Sequence, residues 1–308
     1  MILDKAGKDD HGFNESAYHA FQSSLNLKTI SLESKIFEAK DEGSMSQAIN
    51  SFANTCSAIF AIGINITDVV KKAASKYPKQ KFVVIDTIVS AQNVRSIVFK
   101  EEQGAFLMGA IAAIKSQTGK IGFVGGMDVP LIKRFEQGYI AGAHSINPKI
   151  SVASGYVGIT VDAWNNPTKA QELALYQYQH GADIIFHAAG GSGFGVFNAA
   201  EKMNAEQSDK KIKDFAIGCD SNQNWIKPGI ILTSMVKDVE KSTFDTIQDL
   251  INNKFTAGVD VYDLSNDGVG WALDKNNQSL FTKDQIERIN KIKSDIILGK
   301  IHVPDAAK

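Results

Sequence analysis

Two aspartates and a lysine stand where strand-like runs end. Asp86 closes KFVVID (81–86), Asp220 closes DFAIGCD (214–220), and Lys237 follows LTSMV. In open α/β sheets the ligand crevice lies at the carboxyl ends of the parallel strands. A carboxylate there can accept hydrogen bonds from both hydroxyls of a vicinal diol such as that of ribose, and Lys237 would balance one of the charges. A loop-capping role for the two acids and a solvated Lys237 stay open as alternatives.

A glycine cluster follows another apolar run in DIIFHAAGGSGFGVFNAAEKM. It lacks the third glycine of a dinucleotide fingerprint, because Val196 stands there, and it lacks the Gly-Lys-Ser/Thr of a Walker loop. The G-x-S-x-G elbow of serine hydrolases fails because Phe194 takes the last position. What remains is a glycine loop between a strand and a helix, where backbone N–H groups can meet a ligand. Phe194 would either pack under this loop or stack on a flat ligand.

Carboxylates, an aromatic residue and an amide share the segment DKAGKDDHGFNES near the start of the chain. Carboxylates suit Ca²⁺ or Mg²⁺, and metal-dependent nucleoside hydrolases carry D-x-D-x-x-x-D-D at the end of their first strand. Aligned on Asp4, that pattern meets Ala6 and His11 at two of its four acids, so a hydrolase metal site is disfavoured. Asp10 or Asn14 would instead cap a helix over ESAYHAF.

Other chemistry finds little support in the residue pattern. The histidines show neither H-x₃-H nor H-E-x-x-H spacing, so no zinc site is predicted. No serine, histidine and aspartate arrangement can be argued from spacing either. The sequence therefore predicts no catalytic residue, no metal and no cofactor.

Bulk composition fits a globular chain of two domains. The chain has 308 residues, 44% of them hydrophobic, and 33 basic against 34 acidic residues give a net charge of −1. No bulk attraction to nucleic acid or to an anionic membrane is expected from this balance. No apolar run reaches about 18 residues, so no membrane span is predicted, and MILDKAG is not recognised as a signal peptide. Cys56 and Cys219 are expected to be packed thiols, with a single disulfide as the alternative.

Short β-branched runs alternate with amphipathic helical segments along most of the chain. The predicted strands are 57–63, 81–86, 120–126, 150–158, 182–190, 214–220 and 229–236. Near-continuous apolar strands that alternate with helices predict a parallel sheet covered on both faces.

Local signals predict where two of the helices begin and end. In PTKAQELALYQYQHG, Pro167 suits the first turn and Gly181 the left-handed position after the last. In TKDQIERINKIKSDIILG, Thr282 and Gln285 form a capping-box pattern and Gly299 would end the helix.

Two extended runs are predicted to lie outside the regular elements. SIVFKEEQ (96–103) is interpreted as a connector between two strand–helix blocks, so the chain is expected to form two α/β lobes of similar size. KIHVPD near the end is interpreted as a short strand or an extended tail.

Several motifs together resemble one known family. DDHGFNESAY is similar to the D-D-x-x-F-N-x-S-A-x segment near the start of basic membrane protein (BMP/PnrA-like) lipoproteins. GAFLMGAIAA, KIGFVGG, AAGGSGFGVFNAA, IGCDSNQ, LTSMVKDV and GKIHVP resemble further segments of that family in the same order. The resemblance covers essentially the whole chain and is strongest to spirochaetal members.

The resemblance implies a fold, an activity and a cellular setting. The fold would be the α/β type I periplasmic-binding-protein fold, in which two doubly wound parallel-sheet lobes are joined by three crossovers. The N-terminal lobe would span 1–100 and 237–258, and the C-terminal lobe 101–236 and 259–308, with the ligand cleft between them. The protein would be a cell-membrane lipoprotein, periplasmic or surface-exposed, that captures purine nucleosides for an ABC-type permease. Its membrane contact would be an N-terminal lipid anchor that this chain does not show.

The resemblance also assigns roles to individual residues. The ligand-binding set carried over by position is Asp4, Phe13, Asn14, Asp86, Phe194, Asp220 and Lys237. Phe13 and Phe194 would sandwich the base, each contributing roughly 1–3 kcal/mol, while Asp86, Asp220 and Lys237 would hold the ribose. The glycines around Phe194 would let the base lie close to the backbone.

Three other functions remain as alternatives at this point. A receptor of the same fold could bind a sugar, and a nucleoside hydrolase could use the Asp4–Asp10 cluster with a metal. The ligand-sensing half of a repressor shares the fold, but no helix-turn-helix precedes the first strand, so DNA binding by this chain is not expected.

Overall fold

The computed structural model describes residues 1–25, 32–206 and 212–305. The chain forms two compact units. Unit 1 comprises Met1–Phe99 and Asp238–Tyr262, and unit 2 comprises Lys100–Lys237 and Asp263–Lys308. The chain therefore crosses from one unit to the other three times.

Strands and helices alternate through both units. The strands are β1 (Ile2–Leu3), β2 (Phe37–Glu38), β3 (Ala58–Ile62), β4 (Lys81–Ile85), β5 (Val94–Phe99), β6 (Lys120–Met127), β7 (Ser151–Gly158), β8 (Ile184–Ala188), β9 (Phe215–Asp220), β10 (Ile231–Lys237), β11 (Gly258–Tyr262) and β12 (Val269–Trp271). The α-helices are α1 (Phe13–Leu25), α2 (Glu42–Phe52), α3 (Thr67–Lys76), α4 (Glu101–Lys115), α5 (Pro130–Ile146), α6 (Pro167–Gln179), α7 (Gly193–Glu206), α8 (Val239–Ile251) and α9 (Lys283–Ile297).

Unit 1 is built on a parallel sheet with the strand order β11-β5-β4-β3-β1-β2. The inner strands are apolar without alternation because helices cover both faces. In β4, for example, the residues from Phe82 to Ile85 are all fully buried. The chain leaves β1 towards β2 on one side and returns with β3 on the other. The β1/β3 boundary is thus the topological switch point of this sheet, where α/β proteins bind ligands.

Unit 2 repeats the plan with the order β12-β10-β9-β8-β6-β7, parallel except for the β10–β12 pair. Its switch point lies between β6 and β8. Apolar side chains of α6 and α7 pack against residues of β6, β8, β9 and β10 to form a core of this unit. The α/β fold predicted from the alternation of strands and helices is confirmed.

The predicted helix ends are found where the sequence placed them. Pro167 occupies the first turn of α6, and Gly181 after its end has φ 98°. The Thr282 hydroxyl accepts a hydrogen bond from the Gln285 N–H in a capping box at the start of α9. Gly299 follows that helix with φ 70°.

The interpretation of 96–103 as a connector was wrong. Val94–Phe99 is a strand of the unit 1 sheet, paired on both sides, and Glu101 already begins α4. The error arose because β11, the strand that pairs with the outer side of β5, was not predicted either. The β11 sequence GVDVY has no long apolar stretch that would indicate a strand. The described part of the tail over 300–305 contains no strand.

The two cysteines are free thiols and form no disulfide. Cys219 is buried, as predicted, and burial raises the pKa of its thiol. Cys56 is only partly buried, at the edge of the unit 1 core. Among the described residues, no helix combines the length and the apolar character that crossing a bilayer requires.

Candidate functional site

The carboxyl edge of the unit 1 sheet brings two of the candidate acids together. Asp4 follows β1 and Asp86 follows β4, with Gly63 after β3 between them. Gly63 has φ 99°, and a Cβ placed there would lie 3.1 Å from Asp4 Oδ2. Only glycine combines this conformation with so close an approach. The switch point of unit 1 therefore presents the carboxylate of Asp4.

Asn14 fixes the orientation of Asp4. Its side-chain amide donates to Asp4 Oδ1 at 2.9 Å and to Asp10 Oδ2 at 2.8 Å, and its Oδ1 accepts the Asp4 N–H at 3.1 Å. Both amide hydrogens and the carbonyl oxygen of Asn14 are thus engaged within the protein, and the residue is 1% exposed. The geometry makes Asn14 a support for Asp4.

Asp10 caps the helix that carries the first candidate aromatic residue. Its carboxylate accepts the N–H groups of Gly12, Asn14 and Glu15 at 2.9, 2.9 and 3.1 Å. These would otherwise be open donors of the first turn of α1, so the predicted capping role of Asp10 is confirmed. Phe13 is the first residue of α1, and it is half-buried.

Burial and neighbouring charge act on Asp4 in the same direction. Burial, followed by the nearby Asp10 and Asp86 carboxylates, raises the pKa of Asp4 to about 6, while hydrogen bonds from the Ala6 N–H and Asn14 lower it. A carboxyl group with a raised pKa at a strand end is a frequent mark of a ligand site. Here it favours a ligand that offers hydrogen-bond donors to the acids. In the described part of the chain no group of three or more His, Cys, Asp or Glu side chains is arranged to hold a metal ion.

In unit 2, Phe194 lies in the first turn of α7 at the carboxyl end of β8. Its ring meets Phe197 edge to face, with the centroids 6.0 Å apart and the planes at 81°. The side chain is half-buried against the core of the unit. Phe194 therefore packs on its own helix with one side and remains partly exposed, and its stacking on a flat ligand stays a prediction.

The glycines on either side of Phe194 serve internal packing, which corrects the expectation that they keep the backbone open to a base. A Cβ at Gly193 would lie 2.1 Å from the ring of His187. A Cβ at Gly195 would lie 2.0 Å from the carbonyl oxygen of Pro167 on α6. Side chains and backbone of the protein already fill the space that these two glycines leave.

Asp220 ends β9 in a left-handed conformation, with φ 68°. Asp86 has φ 73° at the corresponding place in unit 1. Non-glycine residues adopt this conformation uncommonly, although Asp is among the more tolerant. Such outliers cluster at ligand-binding positions, where the surrounding structure holds them in place.

Lys237 lies at the end of β10, next to β9, and is almost fully buried. Its Nζ is 3.2 Å from Glu101 Oε1, and both side chains are 1% exposed. Glu101 also contacts the guanidinium of Arg134. Lys237 was expected to balance Asp86 or Asp220, or else to be solvated; it is buried instead, and the acid in this ion pair is Glu101 at the start of α4, which sequence reasoning did not single out.

A second residue that sequence reasoning missed is Trp164, at the switch point of unit 2. It lies in a short 3₁₀ turn, Val161–Trp164, after β7, and its side chain is half-buried. A Cβ at Gly126 near the end of β6 would lie 2.4 Å from its ring, and a Cβ at Gly190 after β8 would lie 3.5 Å from its carbonyl oxygen. The sequence signal that could have indicated this residue is a tryptophan within a polar segment directly after a predicted strand.

The structure thus gathers the predicted residues into two groups, each at the carboxyl edge of one sheet. The group in unit 1 is Asp4, Phe13, Asn14 and Asp86. The group in unit 2 is Phe194, Asp220 and Lys237. Each group contains an aromatic residue in the first turn of a helix and a left-handed aspartate after an inner strand.

Two such units, joined by three crossings, have the type I periplasmic-binding-protein fold. A solved ABC transporter solute-binding protein from Aeropyrum pernix K1 has this fold, with a TM-score of 0.86, 24% identity and coverage of 98% of this chain and 92% of that one.

The chain belongs to the Bmp family, the PnrA-like ABC transporter substrate-binding proteins, whose family model matches residues 1–307. The ABC transporter nucleoside-binding protein BmpA of Lactococcus lactis is 34% identical over 99% of this chain and 88% of that protein. Basic membrane protein A of Borreliella burgdorferi is 32% identical over 96% of this chain and 84% of that protein.

Proposed function

We propose that the protein captures purine nucleosides, such as adenosine, guanosine and inosine, and delivers them to the permease of an ABC importer without chemically changing them. The paired left-handed aspartates, Asp86 and Asp220, carry the proposal. A relative that is 34% identical over nearly the whole chain is named a nucleoside-binding protein, which supports this choice of ligand.

In the proposed complex, one ligand is bound by both groups of residues. Phe13 and Phe194 stack on the purine, which is flat and presents a π-face to each ring. Asp86, Asp220 and Lys237 bind the ribose, because carboxylates accept from vicinal hydroxyls and an ammonium donates to their oxygens. Since the full set of contacts exists only when both units touch the ligand, binding favours the closed arrangement.

Asp4 adds a hydrogen-bonding position beside this set. Its carboxyl is held by Asn14 and the Ala6 N–H, and the other oxygen lies next to Gly63. The pKa of Asp4 is raised chiefly by burial, so a hydrogen-bond donor from the ligand would stabilise its charged carboxylate. A nucleoside offers such donors on both the sugar and the base.

The proposal includes a cellular setting. An ABC substrate-binding protein works on the outer side of the membrane that holds its permease, and the near-neutral chain has no bulk charge to hold it to lipid. We therefore propose attachment through a lipidated cysteine ahead of the residues present here. Labelling of the full-length protein with a fatty acid analogue tests this part independently of ligand binding.

Calorimetry decides between the candidate ligands. Titration with adenosine, guanosine and inosine should give a binding heat with at least one of them, while D-ribose and D-allose should give none. Heat with a sugar and none with any nucleoside would replace the proposal with a sugar receptor. Release of hypoxanthine from inosine in the presence of Ca²⁺ would replace it with a hydrolase that uses Asp4 and Asp10.

A further inference from the structure

One buried glutamine touches all three strands that carry the unit 2 candidates. Gln223 lies in the loop after β9 and is 2% exposed. Phe194 follows β8, Asp220 ends β9 and Lys237 ends β10, and these three strands are neighbours in the sheet. The side chain of Gln223 contacts β9 and β8, and its backbone N–H contacts β10, so this one residue can set the positions of the candidate ligand-binding residues together.

The contact with β9 holds the turn that contains Asp220. The side-chain oxygen of Gln223 accepts the Cys219 N–H at 2.9 Å, so the amide folds back over the residue just before Asp220. A Cβ at Gly218 would lie 2.7 Å from that oxygen. Gly218 therefore leaves the space that the Gln223 side chain fills. The Gln223 side chain in turn supports the left-handed turn at Asp220 through its hydrogen bond with Cys219.

The contact with β10 is made through a serine. The backbone N–H of Gln223 donates to Ser234 Oγ at 3.0 Å, and the hydroxyl of Ser234 donates to Asn224 Oδ1 at 2.9 Å. Ser234 is fully buried and precedes Lys237 by three residues on the same strand. The loop after Asp220 is thus attached to the strand that ends in Lys237.

The contact with β8 is made through a histidine whose tautomer the network determines. His187 Nε2 lies 3.2 Å from Gln223 Oε1. Because that oxygen already accepts the Cys219 N–H, it is the carbonyl end of the amide, so His187 must donate from Nε2. Burial lowers the pKa of His187 to about 4, so the ring is neutral at physiological pH.

His187 connects the network to the turn that carries Phe194. Its ring lies directly against Gly193, where a Cβ would be 2.1 Å away. It also meets Phe197 edge to face, with the centroids 5.1 Å apart. The ring of Phe194 packs on that same Phe197. A displacement of His187 would therefore shift the first turn of α7.

We propose that Gln223 is a positioning residue for ligand binding, which fixes the Asp220 turn, the Lys237 strand and the Phe194 turn in one arrangement through Cys219, Ser234 and His187. This inference rests on the proposed function, in which Phe194, Asp220 and Lys237 contact the ligand. Buried polar groups that hold binding residues in place reduce the ordering that the ligand must otherwise bring about.

Gln177 offers a matched control in the same unit. It is also buried, at 5% exposure, and donates its amide to a strand carbonyl, Phe123 O, at 3.0 Å. Its side-chain oxygen likewise lies over a strand glycine, Gly122. Gln177 touches none of the three strand ends that carry candidate residues, so Q177L removes a comparable buried amide without disturbing them.

Two measurements on Q223L, Q177L and the milder S234A test the proposal. By hydrogen exchange with mass spectrometry, Q223L and S234A should speed exchange roughly tenfold or more over 219–226, and Q223L also over 193–197. Q177L should leave both segments unchanged. By calorimetry with the nucleoside that the wild type binds, Q223L should lose roughly tenfold or more in affinity, and Q177L should stay within about twofold.

The outcomes separate this proposal from the proposed function. Equal affinity for Q223L and Q177L, or equal exchange in both over 219–226, would overturn the positioning role. If the wild type binds no nucleoside, the proposed function fails, and the exchange data alone then support or overturn the positioning role. If Q223L does not fold, S234A decides: exchange over 219–226 equal to that of Q177L would overturn the positioning role.

Discussion

The two units share one backbone feature, a left-handed aspartate at the carboxyl end of an inner strand. In unit 1, Asp86 follows the strand next to β3 with φ 73°, and in unit 2, Asp220 ends the strand next to β8 with φ 68°. Each is therefore placed one strand away from the switch point of its sheet. That a left-handed aspartate occurs twice at the same topological position points to a role that the fold itself does not require.

Around that shared feature the two edges differ in charge. In unit 1 burial, followed by the carboxylates of Asp10 and Asp86, raises the pKa of Asp4. In unit 2 a buried lysine, Lys237, is paired with Glu101. Unit 1 thus suits the donor groups of a ligand, and unit 2 offers a mixed surface of acid, ammonium and aromatic ring.

The largest expected effect concerns the buried ion pair of unit 2. Glu101→Gln leaves the buried Lys237 ammonium and the partly buried Arg134 guanidinium beside a neutral amide, so the free energy of unfolding should fall by about 3–5 kcal/mol. Urea denaturation of the variant and the wild type measures this difference.

The control for this change is an exposed pair of the same type in unit 1. Lys241 lies 2.5 Å from Asp245, and both side chains are 45% exposed. Asp245→Asn should therefore cost less than about 1 kcal/mol. A similar loss in both variants would show that the Lys237–Glu101 pair behaves like a surface pair, and the contrast between the two edges would be lost.

The next effect concerns the acidic edge of unit 1 and has the opposite sign. Asp4→Asn keeps a carbonyl oxygen for the Ala6 N–H and for Asn14, and it removes a carboxylate that is unfavourable when charged. The free energy of unfolding at pH 7 should rise by about 1–3 kcal/mol, while nucleoside affinity should fall if Asp4 binds the ligand.

The pH dependence of stability tests whether the charge of Asp4 causes this difference. The pKa of Asp4 rises from 3.8 to about 6 on folding, so between these values the folded protein binds the proton more tightly than the unfolded chain. In that window the contribution of Asp4 to the stability of the wild type should decrease as pH rises, and above about pH 6 the contribution of the bound proton is gone. The difference between Asp4→Asn and wild type should accordingly be small near pH 4 and full at pH 7. A difference that does not change with pH would rule out this explanation.

The aromatic residues of the two units should contribute unequally to binding. Phe13→Ala should weaken nucleoside binding by roughly tenfold or more, in line with about 1–3 kcal/mol for a stacked base. Phe194→Ala should also weaken binding and should in addition lower stability, because that ring packs on Phe197 within the core of unit 2. Calorimetry and thermal unfolding on the same samples separate the two effects, and Phe21→Ala, whose ring packs on Phe60 within unit 1, should lower stability alone.

Sequence reasoning went furthest where local chemistry decides the outcome. The capping box at Thr282, the helix start at Pro167 and the helix cap at Asp10 depend on residues within a few positions of one another. The alternation of apolar strands and helices predicted the fold class for the same reason, since each element shows its own periodicity.

What the sequence could not show are contacts between residues far apart in the chain. Glu101 pairs with Lys237, 136 positions later in the numbering, and Trp164 covers a glycine of β6. The same limit explains the missed strand at Val94–Phe99, whose neighbour β11 lies far along the chain. The glycines next to Phe194 led to a wrong expectation because a glycine leaves room equally for a ligand and for a protein side chain such as His187.

The smallest expected effect tests the shared feature itself. Because glycine adopts a left-handed conformation without steric cost, Asp86→Gly and Asp220→Gly should leave the free energy of unfolding unchanged or raise it by up to about 1 kcal/mol. Asp9→Gly is the control, since Asp9 is exposed and has no positive φ, and it should lower stability by about 0.5–1 kcal/mol through the greater freedom of the unfolded chain. Nucleoside affinity should fall in the first two variants and not in the third. If both strand-end variants instead kept full affinity, the left-handed aspartates would be turns of the fold alone, and the argument that assigns them to the ribose would fail in both units at once.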